Sequence, residues 1–158
     1  MATSDVAKTP AAPGGLRASA EALFALLYMQ AHVVRPIDDA LDRAHHTNIT
    51  GFEVLARLRR MHPGGVSVRY LADQVVVSPS RVSRVAEEFV GRGLLERAAS
   101  PHDGRLSLVR LTAKGRDQLA AMETTFTQAL QAHFLDRLSA EQLRALTDVA
   151  HALGAPHC

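Results

Sequence analysis

Between residues 67 and 111 the chain reads as a short helix, a brief break, a second helix with one apolar and one polar face, and two short strands around a tight turn. No other stretch limits the fold as much. Ser67 has the chemistry to cap a helix over residues 68–74, and residues 75–77 make a connection too short to cross a domain. Ser78 and Pro79 then start the second helix, with Ser at the N-cap and Pro at the first helical position, where a missing N–H costs nothing. Val82, Val85 and Phe89, with Val90 at the margin, form its apolar face, and Ser80, Arg81, Ser83 and Arg84 its polar one. Gly91 and Gly93 stop it. Residues 94–98 and 106–111 alternate as strands around a turn at residues 100–104 that contains Pro101, Asp103 and Gly104. This order predicts a winged helix-turn-helix, a mainly α fold with a small β-hairpin wing.

The flanks are helical. Residues 19–46 carry Leu23, Leu26, Leu27, Val33, Val34, Ile37 and Leu41 at helical spacing. Pro36 interrupts that run, so it predicts either a kink or two consecutive helices with Pro36 in the first turn of the second. Thr50 and Glu53 have the form of a capping box opening a helix through Val54, Leu55 and Leu58, which residues 62–65 end. From Thr112 a long helix shows Leu119, Met122, Phe126, Leu130 and Phe134. Ser139 and Gln142 form a second capping box ahead of Leu143, Leu146, Val149 and Leu153. The expected organisation is a disordered tail over residues 1–17, an N-terminal dimerisation helix or helices over 18–48, the winged helix over 49–112, and C-terminal dimerisation helices over 113–158. More apolar positions lie on the terminal helices than a small winged-helix core absorbs, which predicts a partner surface and a homodimer.

Charge divides along the same boundaries. The whole chain carries a formal net charge of only +2. Residues 57–116, however, hold twelve basic side chains against five acidic ones, a net of +7 that leaves −5 on the flanks. A polyanion partner for the middle segment follows. In this reading the second helix offers short hydroxyls and Arg forks to base edges and phosphates in the major groove of double-stranded DNA. A single cysteine, Cys158, excludes a disulfide framework and a Cys-rich zinc finger. No apolar run reaches the roughly 18 residues of a membrane span, and no signal-peptide core opens the chain, so no membrane partner and a cytoplasmic location are expected. No Gly-rich phosphate loop, G-x-S-x-G or H-E-x-x-H marks an enzyme.

The motifs Ser67-Val-Arg-Tyr-Leu-Ala-Asp-Gln74, Val77-Ser-Pro-Ser-Arg-Val-Ser-Arg84, Gly91-Arg-Gly-Leu-Leu-Glu-Arg97 and Pro101-His-Asp-Gly-Arg105 run in series, followed by Val109-Arg-Leu-Thr-Ala-Lys-Gly115. Together they closely resemble the MarR family of bacterial transcriptional regulators, over roughly residues 20–153. The resemblance implies a homodimeric, sequence-specific DNA-binding repressor on a pseudopalindromic operator, its affinity tuned by an effector. It places Ser78, Ser80, Arg81, Ser83 and Arg84 on the recognition helix. Arg105 matches the wing arginine that enters a minor groove, with Asp103 holding its guanidinium, because narrow grooves concentrate negative potential. Arg69 and Arg97 have the chemistry to contact phosphate. One position departs from the family pattern: Val76 stands where a Gly is usual, which predicts a reshaped turn or an extended first helix. A winged-helix protein-interaction module is disfavoured by the polar recognition face.

The effector is open at this stage between zinc and a small lipophilic anion. The peroxide-sensing branch of the family carries its cysteine near the start of the first helix, where this chain has none. Eight histidines (His32, His45, His46, His62, His102, His133, His151 and His157) raise a zinc-dependent alternative, in which metal is required for DNA binding. Zinc-responsive relatives draw ligands from the first, second and fifth helices, and the nearest candidates here are His45, His46, Glu53, His133 and His151, without a local ligand motif. For an organic effector, Leu26, Met29, Val33, Val54 and Leu58 are candidate pocket residues that serve equally well as core.

Overall fold

The computed structural model describes residues 13–61, 64–75, 77–99 and 107–154, with residues 13–19 as backbone only. The chain is mainly helical, with one three-stranded antiparallel sheet. The N-terminal helical run resolves into α1 (Pro13–Met29), one π-helical turn (Gln30–Val34) and α2 (Arg35–His45). Pro36 explains the break: its ring crowds the carbonyl four residues back and it donates no hydrogen bond. The turn widens ahead of it, the Arg35 amide reaching back to the Gln30 carbonyl, and Pro36 sits in the first turn of α2. Helix α1 begins before the boundary expected at residue 18, with Pro13 as its first helical residue.

Helix α3 (Ile49–Arg60) starts two residues earlier than Thr50 and Glu53 suggest. Asn48, in an extended conformation, accepts the Gly51 amide at 3.1 Å, and the Asp38 carboxylate accepts the Ile49 amide at 2.7 Å. With those two acceptors in place the orphan amides are satisfied before Thr50, which lies inside the helix, and Glu53 pairs instead with Arg57 one turn on. The other caps follow the sequence. Ser67 caps α4 (Val68–Ala72) through the Tyr70 amide, and Thr112 caps α6 (Ala113–His133) through Gly115. Ser139 and Gln142 close a complete capping box on α7 (Ala140–Ala152). Helix α4 ends at Ala72, so it is not extended; Val76 lies outside the described residues.

Helix α5 (Pro79–Gly91) ends as its glycines require. Gly93 adopts φ +70°, the Leu94 amide donates to Phe89 and the Gly93 amide to Val90, the bonding of a Schellman cap. Strands β2 (Leu95–Ala99) and β3 (Ser107–Leu111) pair with Leu95 opposite Leu111 and Ala99 opposite Ser107. Strand β1 (Val66–Ser67), too short for any sequence signal, adds to the free edge of β3, giving the order β1-β3-β2. Gly115 lets α6 start against the sheet: a Cβ there would lie 2.0 Å from the Leu94 carbonyl oxygen.

One core lies at the junction of these elements. Leu41, Val54, Leu55, Leu71, Val82, Ala86, Phe89, Leu95, Val109, Leu119 and Met122 are all buried. On α5 the buried stripe is Val82, Ala86 and Phe89, and Val85 and Val90 are only half-buried, since 82, 86 and 89 keep closer to one line on a 3.6-residue helix. The flanks differ: α7 buries nothing, and α1 exposes Leu23, Phe24, Leu27 and Tyr28 by more than half.

Candidate nucleic-acid interface

Because Val82, Ala86 and Phe89 turn inward, the residues between them turn outward. Ser78, Ser80, Arg81, Ser83 and Arg84 are all exposed, on one end of α5. Ser78 holds the N-cap position, but its hydroxyl meets Ser80 Oγ at 3.2 Å rather than a backbone amide. Among the described residues, Arg81 and Arg84 have no hydrogen-bond or ion-pair partner, which leaves ten N–H donors uncommitted at the N-terminal half of the helix. The positive end of the helix dipole lies at the same place. Arg69 is likewise exposed on α4, next to Tyr70, a half-exposed aromatic ring that sequence patterning did not single out.

Arg97 is placed differently. Its guanidinium bonds the Glu87 carboxylate of α5 and Ser107 Oγ of β3, at 2.9 Å for the latter, so the strand arginine is already engaged. Two adjoining clefts bound the site on the side of α2. One, of about 400 Å³, is lined by Asp38, Asp39, Asp42 and Glu88; the other, of about 300 Å³, joins Glu88 to Arg81 and Arg84. Those carboxylates repel phosphate, which confines an anion-facing surface to the N-terminal part of α5. Asp103 and Arg105, the expected wing contacts, lie outside the described residues, as do His62, His102, His157 and Cys158.

The zinc candidates are not brought together. His45, on α2, spends both ring nitrogens: Nε2 lies 2.8 Å from Thr125 Oγ1 and Nδ1 lies 3.0 Å from the Gln118 amide nitrogen. Burial, and then the nearby Arg92, hold its pKa below the ordinary histidine value. His46 ends α2 in a left-handed conformation, Glu53 is paired with Arg57, and His133 and His151 sit on α6 and α7. Among the described residues no three His, Cys, Asp or Glu side chains group as a metal site.

Of the apolar residues considered for an organic effector, Val54 and Leu58 are closed into the core, and Leu26 faces outward. An open cleft of about 350 Å³ lies between α3 and α6. Phe52 and Phe126 stack in its wall with ring centroids 4.4 Å apart, and Arg57, Arg60, Glu53 and Glu123 rim it. Arg60 has no partner among the described residues. Helical periodicity gave Phe126 only as an apolar position and did not single out Phe52; their meeting depends on the angle at which α3 and α6 pack.

Comparison with known proteins agrees with this architecture. The sequence profile of the MarR family matches residues 50–106. Over 88 residues the chain is 30% identical to YdgJ of Bacillus subtilis, an uncharacterized HTH-type transcriptional regulator, a match covering 56% of this chain and 53% of that protein. The chain therefore spans about half the length of that relative. Among solved structures, Sco3205 of Streptomyces coelicolor, a MarR family regulator in complex with DNA, superposes with a TM-score of 0.76 at 20% identity, covering 90% of this chain and 86% of that one. CouR of Rhodococcus jostii RHA1, bound to p-coumaroyl-CoA, superposes with a TM-score of 0.73 at 21% identity, covering 89% and 96%. No helix among the described residues is long and apolar enough to cross a membrane. The winged-helix segment, residues 50–106, thus matches the MarR family in sequence, and nearly the whole chain has the fold of structures from that family.

Proposed function

We propose that the protein is a homodimeric, sequence-specific DNA-binding repressor that reads a pseudopalindromic operator with one α5 helix per half-site. The observation that carries this reading is the exposed row Ser78, Ser80, Arg81, Ser83 and Arg84, with both guanidinium groups uncommitted among the described residues. Arg forks suit guanine edges and phosphates, and short hydroxyls suit either. The apolar residues exposed on α1 and α7 support a second copy as the cover of the flanks, which would hold two α5 helices about one helical turn of DNA apart. Sco3205, a structural neighbour, was crystallised with DNA.

Fluorescence anisotropy of the full chain on the duplex upstream of its own coding sequence tests the reading. Affinity at least 1000-fold above that for random duplex at physiological salt is expected. Equal affinity for the two would overturn it.

The same reading includes an effector. The cleft between α3 and α6 combines an aromatic wall with Arg60, unpaired among the described residues, which suits a small lipophilic anion better than a metal. CouR is a structural neighbour bound to an aromatic acyl-CoA. Weaker DNA binding in the presence of an aromatic carboxylate, lost in Phe126→Ala, is the expected result.

A further inference from the structure

At the far end of α5 from the polar row, one arginine ties α5 to the end of α2. Arg92, the C-cap of α5, donates to the His45 carbonyl at 2.8 Å and to the His46 carbonyl at 3.0 Å, at the end of α2. Glu88, one turn back on α5, holds the same guanidinium at 3.1 Å, and its carbon lies 5.4 Å from the centre of the Phe89 ring. The residue whose carbonyl is gripped also reaches across to α6 with its ring. Gln118 meets Nδ1 through its amide nitrogen, which only donates, so Nδ1 must be unprotonated; Nε2–H then donates to Thr125 Oγ1. The hydrogen bonding is therefore complete only for one neutral tautomer of His45.

We propose that neutral His45 is a latch joining α2 and α6 to the C-terminal end of α5, and that its protonation opens the latch. A proton on Nδ1 turns the Gln118 contact from a hydrogen bond into a clash of two donors. It also sets an imidazolium beside the Arg92 guanidinium. The charged groups facing the ring are few: Arg92 and its partner Glu88 from α5, the uncharged Gln118 and Thr125 from α6, and Asp42 and His46 as titratable neighbours along α2. The dipole of α2 would favour a cation in its last turn, yet burial and Arg92 prevail and hold the His45 pKa low. The sign follows: an unfolded chain takes up this proton more readily than the folded one, so the latch is intact above about pH 6.5 and weakens as the pH falls.

The consequence for DNA rests on the proposed function; the latch itself does not, and it is measured without DNA. Nitrogen-15 spectra of the full chain should show His45 at pH 7.5 with Nε2 protonated and Nδ1 bare. Between pH 7.5 and 5.5, amide protection at Gly93 and Leu94, corrected for intrinsic exchange, should fall about tenfold. His45→Gln, which cannot titrate, should abolish that dependence. Gln118→Glu, which offers Nδ1 an acceptor, should move the transition to higher pH. A ring with Nδ1 protonated at pH 7.5, protection indifferent to pH, or a His45→Gln variant with the wild-type pH profile would each overturn the latch. On the upstream duplex, acid weakening of binding in the wild type but not in His45→Gln extends the latch to DNA. Absence of DNA binding at both pH values breaks the proposed function and leaves the exchange result standing.

Discussion

Helices α5 and α7 have the same length, 13 residues, and each starts behind a serine, yet they are held in place by different forces. Helix α5 buries Val82, Ala86 and Phe89 in the core, and its Ser78 does no capping. Helix α7 buries nothing in this chain, and its Ser139 and Gln142 satisfy two amides in a full capping box. A helix anchored by tertiary packing can release its N-cap side chain to another task, whereas one without packing depends on local hydrogen bonds. The winged-helix half is thus complete within one chain, and the helical flanks present apolar surface that one chain leaves in water.

The largest test of that contrast is in the core. Phe89→Ala should cost about 3–5 kcal/mol in urea denaturation, since a fully buried ring leaves a cavity. Val149→Ala on α7, about half exposed, should cost no more than about 0.5 kcal/mol at concentrations where a single chain is measured. Comparable losses at the two positions would break the distinction between a finished and an unfinished half.

Next in size is the flank itself. Phe24 and Leu27 are 65% and 60% exposed on α1, and the proposed second copy would bury them. Replacing both with Asp should halve the mass in sedimentation while leaving the helical content of the winged helix intact. Operator affinity should fall about 100-fold, roughly 2.7 kcal/mol, as the second half-site is lost. A variant that still sediments as a dimer would move the interface away from α1.

At the polar row, Arg84→Ala should cost about 1–3 kcal/mol and relax the base preference at one position of the operator. A uniform loss over all sequences, with a shallower salt dependence, would instead make Arg84 a phosphate contact.

How legible these parts were in the sequence follows from how local their causes are. The helix stop at Gly93, the cap at Ser67 and the capping box at Ser139 each depend on residues within one turn, and all are legible in the sequence. The start of α3 was not, because Asn48 and the distant Asp38 satisfy the amides that Thr50 and Glu53 seemed placed to serve. Around Pro36 the sequence allows a kink or two consecutive helices and does not foretell the π turn, since it locates the obstruction but not which hydrogen bonds stretch to absorb it. Strand β1 has no signal of its own and exists because β3 offers an edge. The exposed row on α5 was legible because an amphipathic helix fixes its outer face once its inner face is known. The engagement of Arg97 and the grip of Arg92 on two carbonyls were not, since each partner is brought close only by the finished fold.

Arg97 gives the smallest and most specific test. It is a basic side chain beside α5, and its charge contributes to the +7 of the middle segment, yet Glu87 and Ser107 already hold it. Both ends of the ion pair are well exposed, so the pair itself is worth no more than about 1 kcal/mol and often less. Arg97→Gln should therefore change operator affinity by less than about threefold, under 0.7 kcal/mol, because the cation it removes is already neutralised. Glu87→Gln separates the possibilities further. It removes a carboxylate from α5 and frees Arg97 for phosphate, so binding should tighten and the slope of affinity against salt should steepen by about one ion. If Arg97→Gln weakens binding tenfold while Glu87→Gln does nothing, the arginine leaves its partner to reach the DNA, and the boundary between the anion-facing end of α5 and the rest of the winged helix lies further toward β2 than the free chain indicates.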